Sequence, residues 1–245
     1  MTVSGEIPPE DLPPLFPVEP SDDDSPAAPN WIRSLEQNDN GKPRPIIANA
    51  IHAFTLSLEW RGALAFNAFD GSIVKLREPP MRGNERPAEY GLGEWNDTDT
   101  SLAAAWLSRH ADVHLNPKLV GRAVYAVAQQ KRFHPVKEYL DGLRWDGVVR
   151  LPTWLSRYLG AEQNQYTEAI GAMWMISAVA RVYEPGCKVD HAIVLEGSQG
   201  TGKSSALEVL AGMQWFSDTP VVFGEKDSYE ALRGVWIYEL AELSA

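Results

Sequence analysis

A short apolar run ends on a glycine-rich loop, and the loop opens directly into a helix-forming stretch: AIVLEGSQGTGKSSALEVLAG, residues 192–212. That order predicts a central parallel strand at Ala192, Ile193, Val194 and Leu195, a tight loop, and a helix beginning near Lys203. Residues 197–204 match G-x-x-x-x-G-K-[ST] without a departure. Each residue type has a physical reason. Gly197, Gly200 and Gly202 let the backbone bend round a phosphate, and the N–H groups of Ser198, Gln199, Thr201 and Ser205 complete a cradle at the positive end of a helix. Lys203 reaches β- and γ-phosphate oxygens, and the Ser204 hydroxyl is a ligand for Mg²⁺. The loop therefore predicts ATP and Mg²⁺ as cofactors.

A phosphate loop of this kind needs an acidic group at the end of a second strand. VWIYELAEL, residues 235–243, supplies a candidate. Val235, Trp236, Ile237 and Tyr238 read as a buried strand, with Glu239 at its carboxyl end, where ligands of open α/β sheets bind. Glu239 is expected to hold the metal and to activate water. Glu242 reads either as a second catalytic carboxylate or as a solvated helix-face residue. The fold class expected is an α/β P-loop NTPase core over 189–245, incomplete and truncated at its C-terminus. The strands that would carry a polar sensor and an arginine finger are expected beyond Ala245.

Upstream, the pattern divides three ways. Residues 1–45 hold ten of the eighteen prolines and nine carboxylates against three basic residues. This composition predicts a disordered acidic tail or tether, with PEDLPPLFPVEP (Leu12, Leu15, Phe16) as an alternative docking motif. Residues 46–134 read as a mostly helical α+β module. Its parts are a helix from Pro45 with Ile47, Ile51, Phe54 and Leu58 at helical spacing, a hairpin over ALAFNAFDGSIVKL turning at Asp70-Gly71, a loop over 79–95, and two capped helices, DTDTSLAAAWLSRH and NPKLVGRAVYAVAQQKR. Residues 135–188 read as helical, with short helices either side of a turn at Trp145-Asp146-Gly147, Gly160 as a C-cap, and a longer buried helix from Gln165 to Tyr183.

The net charge of −11 excludes a surface that coats nucleic acid generally, and the tail carries most of it. The single Cys187 excludes an intrachain disulfide or a thiolate zinc cluster, and a reducing, cytoplasmic location is expected. AIGAMWMISAVA, residues 169–180, is too short for a membrane span. His110 and His114 stand four apart without a third ligand and read as helix-end residues. The densest basic and aromatic stretch comprises Arg122, Lys131, Arg132, Lys137 and Arg144 with Tyr125, Phe133 and Tyr139. It reads either as a path for single-stranded DNA or as solvated helix faces.

EGSQGTGKSS, KDSYEALRGVWIYELAEL and HPVKEYLDGLRWDGVVRLPTWLSRYLG together resemble the virulence-associated protein E family of P-loop ATPases of phages and mobile islands, which are similar to the helicase half of viral primase–helicases. The resemblance covers 133–245 well and 46–132 more loosely. It implies ATP hydrolysis in a homo-oligomeric ring coupled to DNA unwinding or replication, with single-stranded DNA as partner of the complete protein; that no membrane is a partner is expected from the short apolar run instead. Lys226 and Asp227 fall in one family motif. Trp145, Asp146, Gly147 and Arg150 fall in another, read as packing and turn structure. A nucleotide-binding regulatory module without turnover, and a small-molecule phosphotransferase, are the alternative readings.

Overall fold

The computed structural model describes residues 31–80, 92–222, 224 and 226–241. The chain divides into two compact units between Pro135 and Val136.

The first unit is built on a mixed four-stranded sheet, order β3-β2-β1-β4. Its elements in chain order are α1 (Ile47–Leu56), β1 (Leu64–Asn67), β2 (Ile73–Lys75), β3 (Gly93–Glu94), α2 (Asp97–Ala111), α3 (Pro117–Ala128) and β4 (Arg132–Phe133). The expected hairpin is present: β1 and β2 pair antiparallel with Ala65 opposite Val74, and Gly71 takes the left-handed φ of 76° that the turn requires. β4 joins the far side of β1 in parallel. The loop expected over 79–95 is interrupted by β3, which pairs with β2; residues 81–91 lie outside the described set.

Asn96 caps α2 in a reciprocal box with Asp99, and Asn116 caps α3 ahead of Pro117. α3 packs on α1, α2 and β1. Phe54, Trp60, Trp106, Leu107, Val113, Val120 and Val124 fill the core, with the Trp60 and Trp106 rings edge to face at 5.5 Å. Inside this unit Lys75 Nζ meets Asp99 Oδ2 at 2.6 Å, with both side chains almost fully buried.

The disordered tail expected over 1–45 ends earlier than the composition suggests. Residues 31–34 form a 3₁₀ turn, Trp31 stacks on Trp106 at 5.7 Å, and Leu35 is buried. The buried Asn49 amide accepts from Glu36 N and donates to Glu36 O and Arg44 O. Two apolar anchors and one satisfied amide overcome an otherwise solvated composition. Residues 1–30, including Leu12, Leu15 and Phe16, lie outside the described set.

α4 (Pro135–Gly142) leads into the second unit, which continues with α5 (Trp154–Leu159), α6 (Gln165–Tyr183), α7 (Lys203–Ala211), β5 (Phe216–Ser217), α8 (Lys226–Ala231) and β6 (Ile237–Tyr238). Gly160 ends α5 in the left-handed conformation, as expected. α6 keeps its expected bounds behind an Asn164–Thr167 capping box. Its Gly171 lies against Trp154 and Leu155 of α5. α4 is tied to α6 by the Tyr183 hydroxyl, which donates to Asp141, and by the Lys137 ammonium over the Tyr183 ring at 5.1 Å.

Four expectations for this unit are corrected. The buried strand expected over 235–238 is only Ile237–Tyr238, and of the four residues Ile237 alone is buried, because pairing to the two-residue β5 supports no longer ladder. α6 is not a buried helix: only Gly171 and Val182 are buried, and Met173, Ile176 and Val179 are exposed. A helix apolar on every side needs neighbours on every side, and the described elements cover only part of its circumference. The run 192–195 forms no strand. β5 and β6 pair with each other in parallel, no other strand flanks 192–195 among the described residues, and Val194 is 64% exposed while Leu195 rests on the α7 cluster. Trp145 does not pack: it is 78% exposed, although the turn forms, with Gly147 at φ 82° and its own Nε1 donating to Val148 O at 3.1 Å. Among the described residues no helix is long and apolar enough to cross a membrane.

Candidate nucleotide-binding site

The site is assembled by α7 and β6. Leu207 and Ala211 on α7 and Ile237 on β6 form a buried cluster, against which Trp174, Leu195, Leu210, Phe216 and Trp236 pack. The Trp236 indole donates to Ala178 O at 2.9 Å, fastening β6 to α6, and Trp215 meets Trp236 edge to face at 6.4 Å. Burying one face of α7 on β6 sets the first turn of the helix beside the carboxyl end of the strand.

The loop has the backbone its glycines were expected to supply. Gly197, Gly200 and Gly202 adopt φ of 159°, 79° and 78°, the last two in the region that L side chains rarely enter. Gly202 is the N-cap of α7 and carries no side-chain cap. The first-turn N–H groups of α7 are therefore left to whatever lies in front of the helix, the arrangement that favours an anion. The Thr201 hydroxyl donates to Ser198 O at 2.9 Å and stiffens the loop. Gln199 and Ser205 are exposed, the first in the loop's turn and the second in the first turn of α7.

Lys203 curls back over this loop. Its ammonium donates to Gly197 O and Ser198 O at 3.0 Å each and to Thr201 Oγ1 at 3.3 Å. All three acceptors belong to the glycine-rich loop, so the cation is held against that loop.

Ser204 and Glu239 meet as the two motifs require. The Ser204 hydroxyl donates to Glu239 Oε1 at 2.7 Å. Glu239 is positioned by its own backbone, since Glu239 N donates to Ser217 O at 2.9 Å and extends the β5–β6 pairing by one residue. The Tyr238 hydroxyl donates to Thr219 O at 2.5 Å and braces the same strand end. The second carboxylate oxygen, Glu239 Oε2, is buried without a hydrogen-bond partner. A buried carboxylate oxygen left unpaired is costly, and a cation or an ordered water beside it removes that cost. The residues fit Mg²⁺: a hydroxyl oxygen and a carboxylate oxygen are hard donors, and two protein ligands leave positions for phosphate oxygens and water.

The structure thus brings together Gly197, Ser198, Gly200, Thr201, Gly202, Lys203, Ser204 and Glu239. Glu242 lies outside the described residues, and α8 is described at Lys226 and Asp227 only as backbone. Sequence reasoning did not find the supporting strand β5 or the bond from Glu239 N to Ser217. Two residues, Phe216 and Ser217, are too few to show a period. The two histidines have separate partners: His110 Nδ1 contacts Trp106 O at 3.0 Å with the rings stacked, while His114 Nε2 contacts Asp112 Oδ1 at 2.9 Å. No group of three His, Cys, Asp or Glu residues suited to a metal occurs among the described residues.

Residues 140–245 match the family model of the virulence-associated protein E-like domain. The match contains the loop, α7 and the Glu239 strand, together with the Trp145 turn. No curated protein matches the chain.

Proposed function

With a virulence-associated protein E-like domain over 140–245, we propose that the chain is an ATP-binding and ATP-hydrolysing protein of a phage or mobile-element DNA replication system. The observation that carries this reading is the Ser204–Glu239 contact at 2.7 Å with Glu239 Oε2 unpaired. A loop hydroxyl and a strand-end carboxylate set together beside an open helix N-terminus are two hard oxygen donors suited to a cation next to phosphate.

In this reading the amides of 198–204 bind the phosphate chain, and Lys203 exchanges its three loop acceptors for β- and γ-phosphate oxygens. Ser204 Oγ and Glu239 would hold Mg²⁺, which would offset charge on the phosphate oxygens. Water attacks the γ-phosphorus in line, the bond to the β–γ bridging oxygen breaks, and ADP leaves with the electron pair. Glu239, held by Ser217 O, orients the water and accepts its proton.

The test is Mg²⁺-dependent binding of a fluorescent ATP analogue, with phosphate release measured on the same samples. Binding is expected in the unmutated chain and absent in Lys203→Ala, a loss of at least about 100-fold for a cation contacting two phosphates. Binding without release favours the regulatory reading, and no binding in either protein overturns the proposal.

A further inference from the structure

From Val113 to Lys137 the chain carries no Asp or Glu, yet it holds Lys118, Arg122, Lys131, Arg132 and Lys137 in a protein of net charge −11. α3 occupies the centre of this stretch. It buries Val120, Ala123, Val124 and Ala128 and leaves Lys118, Arg122 and Tyr125 exposed. Their spacing of four and then three residues puts all three on one face, with about 6 Å and then about 4.5 Å of axial rise between them.

The far end of that face is rigid. Tyr125, half exposed, stands edge-on to Phe66 of β1 at 5.6 Å. The Arg132 guanidinium lies over the same Phe66 ring at 5.3 Å and donates to Gln129 Oε1 at 2.8 Å. One buried ring therefore fixes an exposed ring and a cation side by side, so little rotamer freedom is left to lose on binding. Nor do the packed neighbours supply neutralising charge. α1 and β1 contain no carboxylate; on α2 Asp97 is exposed and Asp99 is bound to Lys75, and Asp112, just past α2, is bound to His114.

We propose that this face, Lys118, Arg122 and Tyr125 of α3 with Arg132 of β4, binds single-stranded nucleic acid. The cations follow the phosphates and Tyr125 stacks on a base, which is open to it only when the base is unpaired. A solvated helix face would mix both signs of charge and would have no need of a ring held in place. The structure also prunes the stretch read from sequence: Phe133 is buried, and Tyr139 packs on Trp215 at 5.5 Å, so neither is offered to a base. Lys118 enters in their place. The proposal deepens the replication reading by naming its polymer contact, and its geometry is independent of the nucleotide site.

The experiment is fluorescence anisotropy of a labelled oligothymidylate of about 16 nucleotides, titrated with the full chain without nucleotide, starting at about 50 mM salt. Lys118→Ala with Arg122→Ala is expected to weaken binding about tenfold or more and to reduce the slope of log K against log salt by about 1.4, two contacts at ~0.7 each. Tyr125→Ala is expected to weaken binding about fivefold or more while leaving the slope unchanged. Lys203→Ala is expected to bind the oligonucleotide as the parent does. Circular dichroism checks that the exposed-site variants remain folded. No binding by the parent, unchanged binding by the double variant, or a preference for blunt duplex that ignores Tyr125→Ala would overturn the proposal. No ATP binding by the unmutated chain, with its oligonucleotide binding intact, would sink the ATPase reading alone.

Discussion

Ser204 and Glu239 stand 2.7 Å apart, hydroxyl to carboxylate, with the partner oxygen of the same carboxylate buried and unpaired. One contact thus joins the glycine-rich loop to the strand end, and its two members are expected to fail differently. Ser204→Ala removes the hydroxyl proposed to hold Mg²⁺ and should weaken Mg²⁺-dependent nucleotide binding about tenfold. Glu239→Gln keeps the size and an oxygen donor but removes both the charge that would hold Mg²⁺ and the proton acceptor, so nucleotide binding should also weaken about tenfold while phosphate release falls about 100-fold or more. Equal losses of binding and turnover in the two variants would contradict this division. Because Ser204 is exposed, its substitution should leave the melting temperature nearly unchanged.

How far this site was readable depends on which forces position each residue. The backbone of the glycine-rich loop and the start of the helix at Lys203 were legible because their conformational demands fall on consecutive residues. Glu239 was legible because an apolar run stops there. The bond from Glu239 N to Ser217 was hidden, since pairing between distant strands leaves no local mark. The run 192–195 failed for a related reason: consecutive apolar residues report a wish for burial, whereas a strand also needs a flanking ladder, and β5–β6 does not offer one. α6 kept its ends because Asn164 and Thr167 fix them locally, but its burial depended on neighbours that no period reveals. Trp31 and Leu35 escaped notice because they are two anchors in a segment whose composition is otherwise that of a tail.

Gly171 allows α5 and α6 to approach. A Cβ built there would lie 2.8 Å from Trp154 Nε1 and 2.9 Å from Leu155 Cδ1, and both side chains are buried. Gly171→Ala gains about 1 kcal/mol of helix propensity and loses more to overpacking, about 1–3 kcal/mol, because the Trp154 ring cannot fold aside. A net fall in stability by denaturant titration is expected, with Trp fluorescence reporting displacement of the indole. A stabilised variant would show that the two helices can part at no cost.

Lys75 and Asp99 form the buried ion pair of the first unit, and Asp99 Oδ2 also accepts from Asn96 N at 3.1 Å in the α2 cap. Lys75→Met leaves a carboxylate in the core without its cation, and a loss of about 3–5 kcal/mol is expected. Asp99→Asn strands the ammonium instead, while its amide oxygen can still cap, so a loss of similar size is expected. Equilibrium unfolding of both variants tests this, and a change under about 1 kcal/mol in either would show that solvent reaches the pair.

The Asn49 amide makes three hydrogen bonds, to Glu36 N at 2.8 Å, Glu36 O at 2.9 Å and Arg44 O at 2.9 Å, from a fully buried position on α1. Asn49→Ala leaves those backbone groups without their partner, and roughly 1–3 kcal/mol should be lost. The effect should be local. Limited proteolysis is expected to cut within 35–44 sooner in Asn49→Ala than in the parent, while the pairing of β1 with β2 keeps its hydrogen-exchange protection. Simultaneous loss of both would show that the segment is part of the cooperative core.

Asp146 closes the turn that displays Trp145. Its carboxylate accepts two bonds from the Arg150 guanidinium, at 2.8 and 2.6 Å, and one from Val148 N at 3.0 Å. The guanidinium, followed by the backbone N–H, holds the carboxyl well below the usual carboxylate range. A folded pKa below the unfolded value of about 3.9 means that the turn's order is fully present above that value and is lost only as the pH falls through the lower, folded one. The side-chain carbon of Asp146, followed by NMR, should therefore show no titration between about pH 5 and pH 3, where exposed carboxylates respond. Arg150→Gln removes the largest cause and should return the midpoint toward about 3.9. The depression should persist at about 0.5 M salt, because direct hydrogen bonds rather than screened charge carry it. An ordinary midpoint in the parent would show that the bidentate pair does not hold in solution, and that Trp145 is displayed by something other than this turn.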